Sequence, residues 1–238
     1  MNRTVMVAGA GDAVGIRLVN DFLKMGYQVA AGLLEGQEQS AALPNGIWTV
    51  TIDPLRLQSV EEAAKKVEEA FGAIDLLVVN VDYSQKDEST ILDSIDLEEM
   101  KKAFEYHSMA PIKMIHTFLP LLEKGDGKRI CVVTSKDSCN YLTEECDDFA
   151  SHVSKAPLNM AMHLLFNGLR SKGFTFRMYC KDKEADAEKQ GAYAAEQFVR
   201  DRAYRKEWEA RKDTIAPYKL TDENRFVLRD WMGRELPW

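Results

Sequence analysis

The chain has 238 residues, 45% of them hydrophobic and 29% charged, the proportions of an ordinary soluble globular protein long enough for one sizeable core. Its formal net charge of -7 argues against a nucleic-acid partner, since a phosphate-backbone binder carries a basic face. No apolar run approaches the roughly 20 residues that span a bilayer, and Met1–Gly9 enters a strand pattern instead of a secretory signal, so a cytoplasmic location without membrane attachment is expected. Cys131, Cys139, Cys146 and Cys180 form no CxxC pair and no zinc-like spacing with the four histidines; free thiols and no metal are expected.

Thr4 to Ala8 reads as a short buried strand, followed by a glycine-rich turn with Gly9, Gly11 and Gly15. A helical pattern then places Ile16, Val19, Phe22 and Leu23 on one face and stops at Gly26. Val29 to Leu34 is the next strand, and strand, turn, helix, strand within about 30 residues demands a right-handed crossover and a parallel sheet. The alternation continues with a strand at Ile47–Ile52 and a helix at Ser59–Phe71 that opens on a Ser59/Glu62 capping box and stops at Gly72. Asp75–Asn80 is an apolar strand of the kind covered on both faces. Asp96 and Glu99 cap a long helix running towards Leu122, which Pro111 should kink. Arg129–Thr134, a helix from about Ser151 to Arg170, and Phe174–Cys180 complete six strands. Lys181–Lys189 reads as a charged loop, Ala192–Lys212 as a surface helix, and Asn224–Trp238 as a last strand with a turn at Gly233.

This pattern predicts one α/β domain over 1–238, a Rossmann-like doubly wound parallel sheet in the order 3-2-1-4-5-6 plus a C-terminal strand, with a divergent segment from about 181. The turn Gly9-Ala10-Gly11-Asp12-Ala13-Val14-Gly15 sits where a phosphate cradle sits, after the first strand and at the opening of the first helix. Two readings stand: a dinucleotide site, or small residues kept for packing. Asp12 counts against the first unless it points away from a bound diphosphate.

From Thr4 to about Cys180 the sequence resembles the short-chain dehydrogenase/reductase family. Ala8, Gly9, Ala13 and Gly15 match its TGxxxGxG turn, with Ala13 in place of the middle glycine; Asp53 matches the aspartate near the adenine ring. The run Asp75–Asp82 matches the D-[IL]-LVNNAG strand, keeping Asn80 and replacing the glycine by Asp82. The resemblance implies that Gly9, Gly11, Ala13, Gly15, Asp53, Asn80 and Lys155 bind NAD or NADP. It also implies catalytic positions at Ser135, Lys155, Ser151 and His107. Ser135 and Lys155 are kept, whereas Ser151 replaces the tyrosine and His107 the helix asparagine.

That tyrosine supplies the proton in hydride transfer, and a serine hydroxyl is too short and too weak an acid to replace it. Tyr141 and His152 lie nearby as substitutes, each with a plainer reading as a loop aromatic and a helix residue facing elsewhere. A tyrosine restored at 151 is expected to return activity. Cofactor preference stays open: Leu33 and Leu34 stand where an acidic residue binds ribose in NAD-preferring relatives, Glu35 comes late, and Arg17 is placed to meet a 2′-phosphate or to lie on the surface. Trp231 and Trp238 cover the substrate opening, reach a neighbouring subunit or fill core. The resemblance further implies a homodimer or homotetramer through the helices around Met100–Leu122 and Ser151–Arg170. Two functions follow as alternatives: an NAD(P)-dependent oxidoreductase acting on a small carbonyl or alcohol, or a non-catalytic nucleotide-binding or scaffold relative.

Overall fold

A computed structural model describes residues 3–35, 43–83, 90, 92–93, 96–182, 185–199 and 225–238. Eight strands form one sheet: β1 (Thr4–Ala8), β2 (Gln28–Leu34), β3 (Trp48–Ile52), β4 (Leu76–Val79), β5 (Arg129–Ser135), β6 (Thr175–Lys181), β7 (Leu228–Asp230) and β8 (Glu235–Leu236). Their order is β3-β2-β1-β4-β5-β6-β7-β8, parallel throughout except for the β7–β8 pair. The 3-2-1-4-5-6 order holds. The single C-terminal strand expected from the sequence is instead two short strands folded back at Gly233, which takes a positive φ of 80°.

Both faces of the sheet are covered, and β1 shows how the sequence achieves this. Successive strand residues point to opposite sides. Val5 and Val7 join the core beneath α1 (Ala13–Lys24) and α6 (Ala187–Val199). Met6 and Ala8 join the core beneath α2 (Leu57–Phe71), α4 (Ala110–Lys124) and α5 (Phe149–Leu169). A strand buried on both sides needs apolar residues at every position, and all five residues of β1 are buried.

Several boundaries differ from the sequence reading, each for a local reason. Helix α2 starts at Leu57, and Ser59 makes no capping box; its hydroxyl instead accepts the Asp53 N–H at 2.9 Å. The long helix expected from Asp96 to Leu122 is three pieces. Asp96 caps α3 (Leu97–Phe104) by accepting from the N–H groups of Glu98 and Glu99, as read. A π-helical stretch, Glu105–Met109, follows, and α4 begins directly after it with Pro111 in its first turn. A proline there brings no N–H to a ladder that π winding has already interrupted. Pro157 leaves α5 unbroken. Helix α6 begins at Ala187, five residues earlier than expected and inside the segment read as a charged loop; residues 200–212 of that expected helix lie outside the described residues.

In the helices expected to pair subunits, Ile115 is buried in the core, whereas Met109, Met160 and Leu164 are exposed. The four cysteines are free; burial pushes the thiols of Cys131 and Cys180 up to about 12. Among the described residues no helix is long and apolar enough to cross a membrane, and no group of three or more His, Cys, Asp and Glu residues is placed to hold a metal. Trp231 packs beside the core under α1 and α6, and Trp238 stacks on Phe226 at 4.8 Å between ring centres.

The turn after β1 is the tightest point of the fold. A Cβ on Gly15 would stand 2.2 Å from the Gly9 carbonyl oxygen, and one on Gly9 would stand 1.8 Å from that of Asn80. Neither neighbour is a side chain that can swing aside. At Gly26 nothing lies within 4 Å, and only the φ of 82° opposes a side chain. Gly15→Ala should therefore cost about 3 kcal/mol by overpacking, and Gly26→Ala about 1 kcal/mol from its left-handed backbone. Urea unfolding of the two variants checks this, and equal losses would refute the steric account.

Candidate active site at the carboxyl edge of the sheet

The loops after β1, β4, β5 and β6 meet at the carboxyl edge, where ligands of open α/β sheets bind. An open cleft of about 380 Å³ lies there, bounded by Asp12–Val14 at the start of α1, Asp82 and Tyr83 after β4, Ser151 and Lys155 on α5, Lys181 at the end of β6 with Asp182 after it, and Ala187 and Gln190 of α6.

Asp12 borders the cleft while its carboxylate is tied into the turn. One of its oxygens accepts the Gly15 N–H at 2.6 Å and the Asn80 side-chain N–H at 2.9 Å, and Asn80 also donates to the Gly9 carbonyl. The carboxylate thus caps α1 and ties β1 to β4. Gly9 and Gly15 are demanded by this packing whether or not a ligand is present, and Gly11 lies in the same turn. Ala13 and Val14 face the cleft. Asp53 lines no part of it: its carboxylate accepts the Leu55 N–H in the turn after β3. Arg17 is committed to Asp21 at 2.6 Å and lies near Glu188 of α6, so it is not placed for a 2′-phosphate.

The residues matched to the catalytic positions do converge. Ser135 ends β5, and Ser151 and Lys155 lie one turn apart on the buried side of α5. All three donate to one acceptor that the sequence reading did not single out: Asp137 Oδ2, on the 3₁₀ turn after β5, at 3.0, 3.3 and 3.0 Å respectively. Among the described residues no phenol joins this cluster: Tyr83 borders the cleft, but its hydroxyl donates to Glu99 at 3.3 Å. Tyr141 is 78% exposed and does not line the cleft, and His152 Nδ1 turns to the Asp148 carbonyl.

Asp82 forms the second half of the cluster. It lies 2.6 Å from Lys181 Nζ, 3.6 Å from Lys155 Nζ and 3.1 Å from His107 Nε2. The π-helical stretch places His107 inward, where its Nδ1 is 2.6 Å from Ser154 Oγ. Among the described residues Asn80 Oδ1 and Thr134 Oγ1 are buried without a hydrogen-bond partner, and both residues line a cavity of about 10 Å³ shared with Asp82, His107, Lys155 and Lys181. That is room for one water. Asp82, Asp137 and Lys181 were legible only as oddities: a carboxylate where the family motif has glycine, an aspartate in Ser135–Ser138, and a lysine closing an apolar strand.

Burial alone would raise the Asp82 pKa, but the hydrogen bond with His107 and the charges of Lys181 and Lys155 outweigh it and hold the carboxyl well below the usual range. A folded-state value below the unfolded one stabilises the protein above the ordinary carboxylate value of about 4, and that stabilisation is lost as pH falls below it. Asp82→Asn should therefore cost about 3 kcal/mol at pH 7, with the gap to wild type narrowing towards pH 3. Urea midpoints across that range measure the effect; a gap that stays constant with pH would show that Asp82 is not held ionised by its neighbours.

A family model of short chain dehydrogenases matches residues 3–180. A Schizosaccharomyces pombe protein described as an uncharacterized oxidoreductase is 28% identical over 183 residues, spanning 74% of this chain and 71% of its own. The NADPH-bound carbonyl reductase from chicken fatty liver superposes with a TM-score of 0.75 at 18% identity, over 100% of this chain and 94% of that one. The ligand-free aldohexose dehydrogenase of Thermoplasma acidophilum does so with a TM-score of 0.61 at 15% identity, over 76% and 65%. Together with the sheet order and the placement of Ser135 and Lys155, the match over most of the chain establishes that this protein belongs to the short-chain dehydrogenase family.

Proposed function

We propose that this chain is a nucleotide-binding relative within the family, one that takes a ligand of the NAD(P) class but has lost the tyrosine-dependent oxidoreductase reaction on a carbonyl or alcohol. The convergence of Ser135, Ser151 and Lys155 on Asp137 carries this reading. These residues face an acceptor where the reaction needs a group that gives and takes a proton, and Lys155 is held by two carboxylates.

The residues fit such a ligand at one end only. Ala13 and Val14, at the positive end of the α1 dipole, border the open cleft, and Asp12 beside them is tied to the Gly15 N–H. At the other end the lysine that would meet a nicotinamide ribose is already engaged. When bound, the cofactor would supply or accept a hydride; no proton path from Ser151 to a substrate oxygen accompanies it. The family match and the NADPH carried by the chicken reductase support the ligand class.

A second reading, a working NAD(P)-dependent oxidoreductase with other acid–base groups, is favoured by one observation. His107, Asp82, Lys155 and Asp137 form a continuous chain of contacts through which a proton can travel. Titration with NADH and NADPH followed by a carbonyl panel separates the two. Binding should be seen with turnover about 10²–10⁴-fold below that of a tyrosine-bearing enzyme. Ser151→Tyr alone should not rescue it, contrary to the simpler expectation from sequence, because Asp137 and Asp82 still hold Lys155. Adding Asp137→Ala and Asp82→Gly should raise turnover. Robust wild-type turnover that survives Ser151→Ala would favour the second reading.

Self-association through α4 and α5 belongs to the same proposal. Met109, Met160 and Leu164 expose apolar surface there, with Ile112 and Leu165 half-buried beside them. Light scattering at micromolar concentration should return at least a dimer mass, and Leu164→Glu should return a monomer; a wild-type monomer would remove the idea.

A further inference from the structure

The cleft has two chemically different ends. At one, the first turn of α1 meets the start of α6, whose N-terminus is capped by Asp186 through the Lys189 N–H. At the other lies the floor, where Asp82, Lys155 and Lys181 line the cleft and Asp137 backs Lys155. That floor holds two carboxylates and two ammonium groups in mutual contact, so its charges are balanced with nothing bound. The side chains of Lys155 and Asp137 are 6% and 12% exposed, and those of Lys181 and Asp82 19% and 25%. The space beneath, between Asn80, Thr134 and His107, is about 10 Å³, which admits a water and no ring.

A ligand group entering the floor must break ion pairs that are already formed and partly desolvated, and it recovers at most the same contacts. Truncating or displacing one partner of such a pair leaves the other charge uncompensated. A ligand group that stays at the helix end displaces none of the floor's ion pairs; there it meets Asp12, one of whose oxygens already takes the Gly15 N–H, and Asp182, paired with Lys136. Asp82 is the residue on which the closure turns. It contacts both lysines, and it stands at the end of β4 where a glycine would leave the carboxylate volume empty and release Lys181.

We propose that Asp82 is a specificity-determining residue that closes the floor of the cleft, so that a nucleotide is held by its adenosine diphosphate portion and its nicotinamide riboside portion adds no affinity. This rests on the nucleotide-binding reading above. It makes the protein a receptor for adenosine diphosphates as a class, with a preference set by a side chain rather than by the glycine-rich turn.

The test is a set of calorimetric titrations with ADP and NADH on the wild-type chain and on Asp82→Gly and Asp82→Asn. The wild type should bind both with Kd values within about threefold of each other. Asp82→Gly, which removes both volume and charge, should bind NADH at least tenfold more tightly than ADP while its ADP affinity stays as in the wild type. Asp82→Asn keeps the shape, guards against misfolding of the glycine variant, and should move in the same direction by a smaller factor. A wild type that prefers NADH over ADP by tenfold or more overturns the inference and leaves the nucleotide-binding reading standing. So does a wild-type ratio unchanged in both variants. Absence of binding by either ligand overturns the reading itself and the inference with it.

Discussion

Lys155 is an ammonium group at the bottom of a cleft, and the surrounding structure is arranged so that it is never alone. Two carboxylates reach it from different elements, Asp82 from the end of β4 and Asp137 from the turn after β5. Asp82 in turn engages Lys181 at the end of β6 and His107 in the π-helical stretch. Five separate segments are therefore fastened through one set of charges. Such sets are not large sources of stability, because desolvation offsets attraction, but losing one member costs about 3–5 kcal/mol since the others are left buried and unpaired. The cluster specifies geometry more than it adds stability, and the family's usual constellation of hydroxyls and lysine is rebuilt around it.

The fold was readable because its signals are local and repeated. Apolar runs such as Thr4–Ala8 and Leu76–Val79 leave no polar face, so they require layers on both sides, and the intervening helices supply them. Matched motif order then fixed which strand lies at the switch point. Misreadings fell where a tertiary partner overrode a local pattern. Ser59 looks like a helix cap, but the Asp53 N–H claims its hydroxyl. The charged run after Lys181 looks like a loop, but Gln190 bonds back to both the N–H and the carbonyl of Asp182 and starts α6 early.

The site was readable only in part. Of the positions that the resemblance picked out, Ser135, Ser151 and Lys155 share one acceptor, and His107 connects to Lys155 through Asp82. What the sequence hid was the pairing among them. Aspartates after β4 and β5 and a lysine at the end of β6 are far apart along the chain, and only the strand order makes them neighbours. Asp12 shows the converse: suspect next to a phosphate cradle, it proves to be the helix cap that closes the turn.

The winding at Glu105–Met109 carries a consequence for descent. A π-helical stretch is an α-helix with one residue too many, so the side chains beyond it are out of phase with those before. Loss of a single residue between 105 and 109 would restore regular winding, and the face bearing His107 would rotate by about 100° relative to one of its flanking helices. The imidazole would leave Asp82 without any substitution at position 107, visible as a lost His107–Asp82 contact in such a variant's structure. Relatives that lack one residue in this stretch would thus present different side chains to the cleft even where the residue types on either side of the gap are the same.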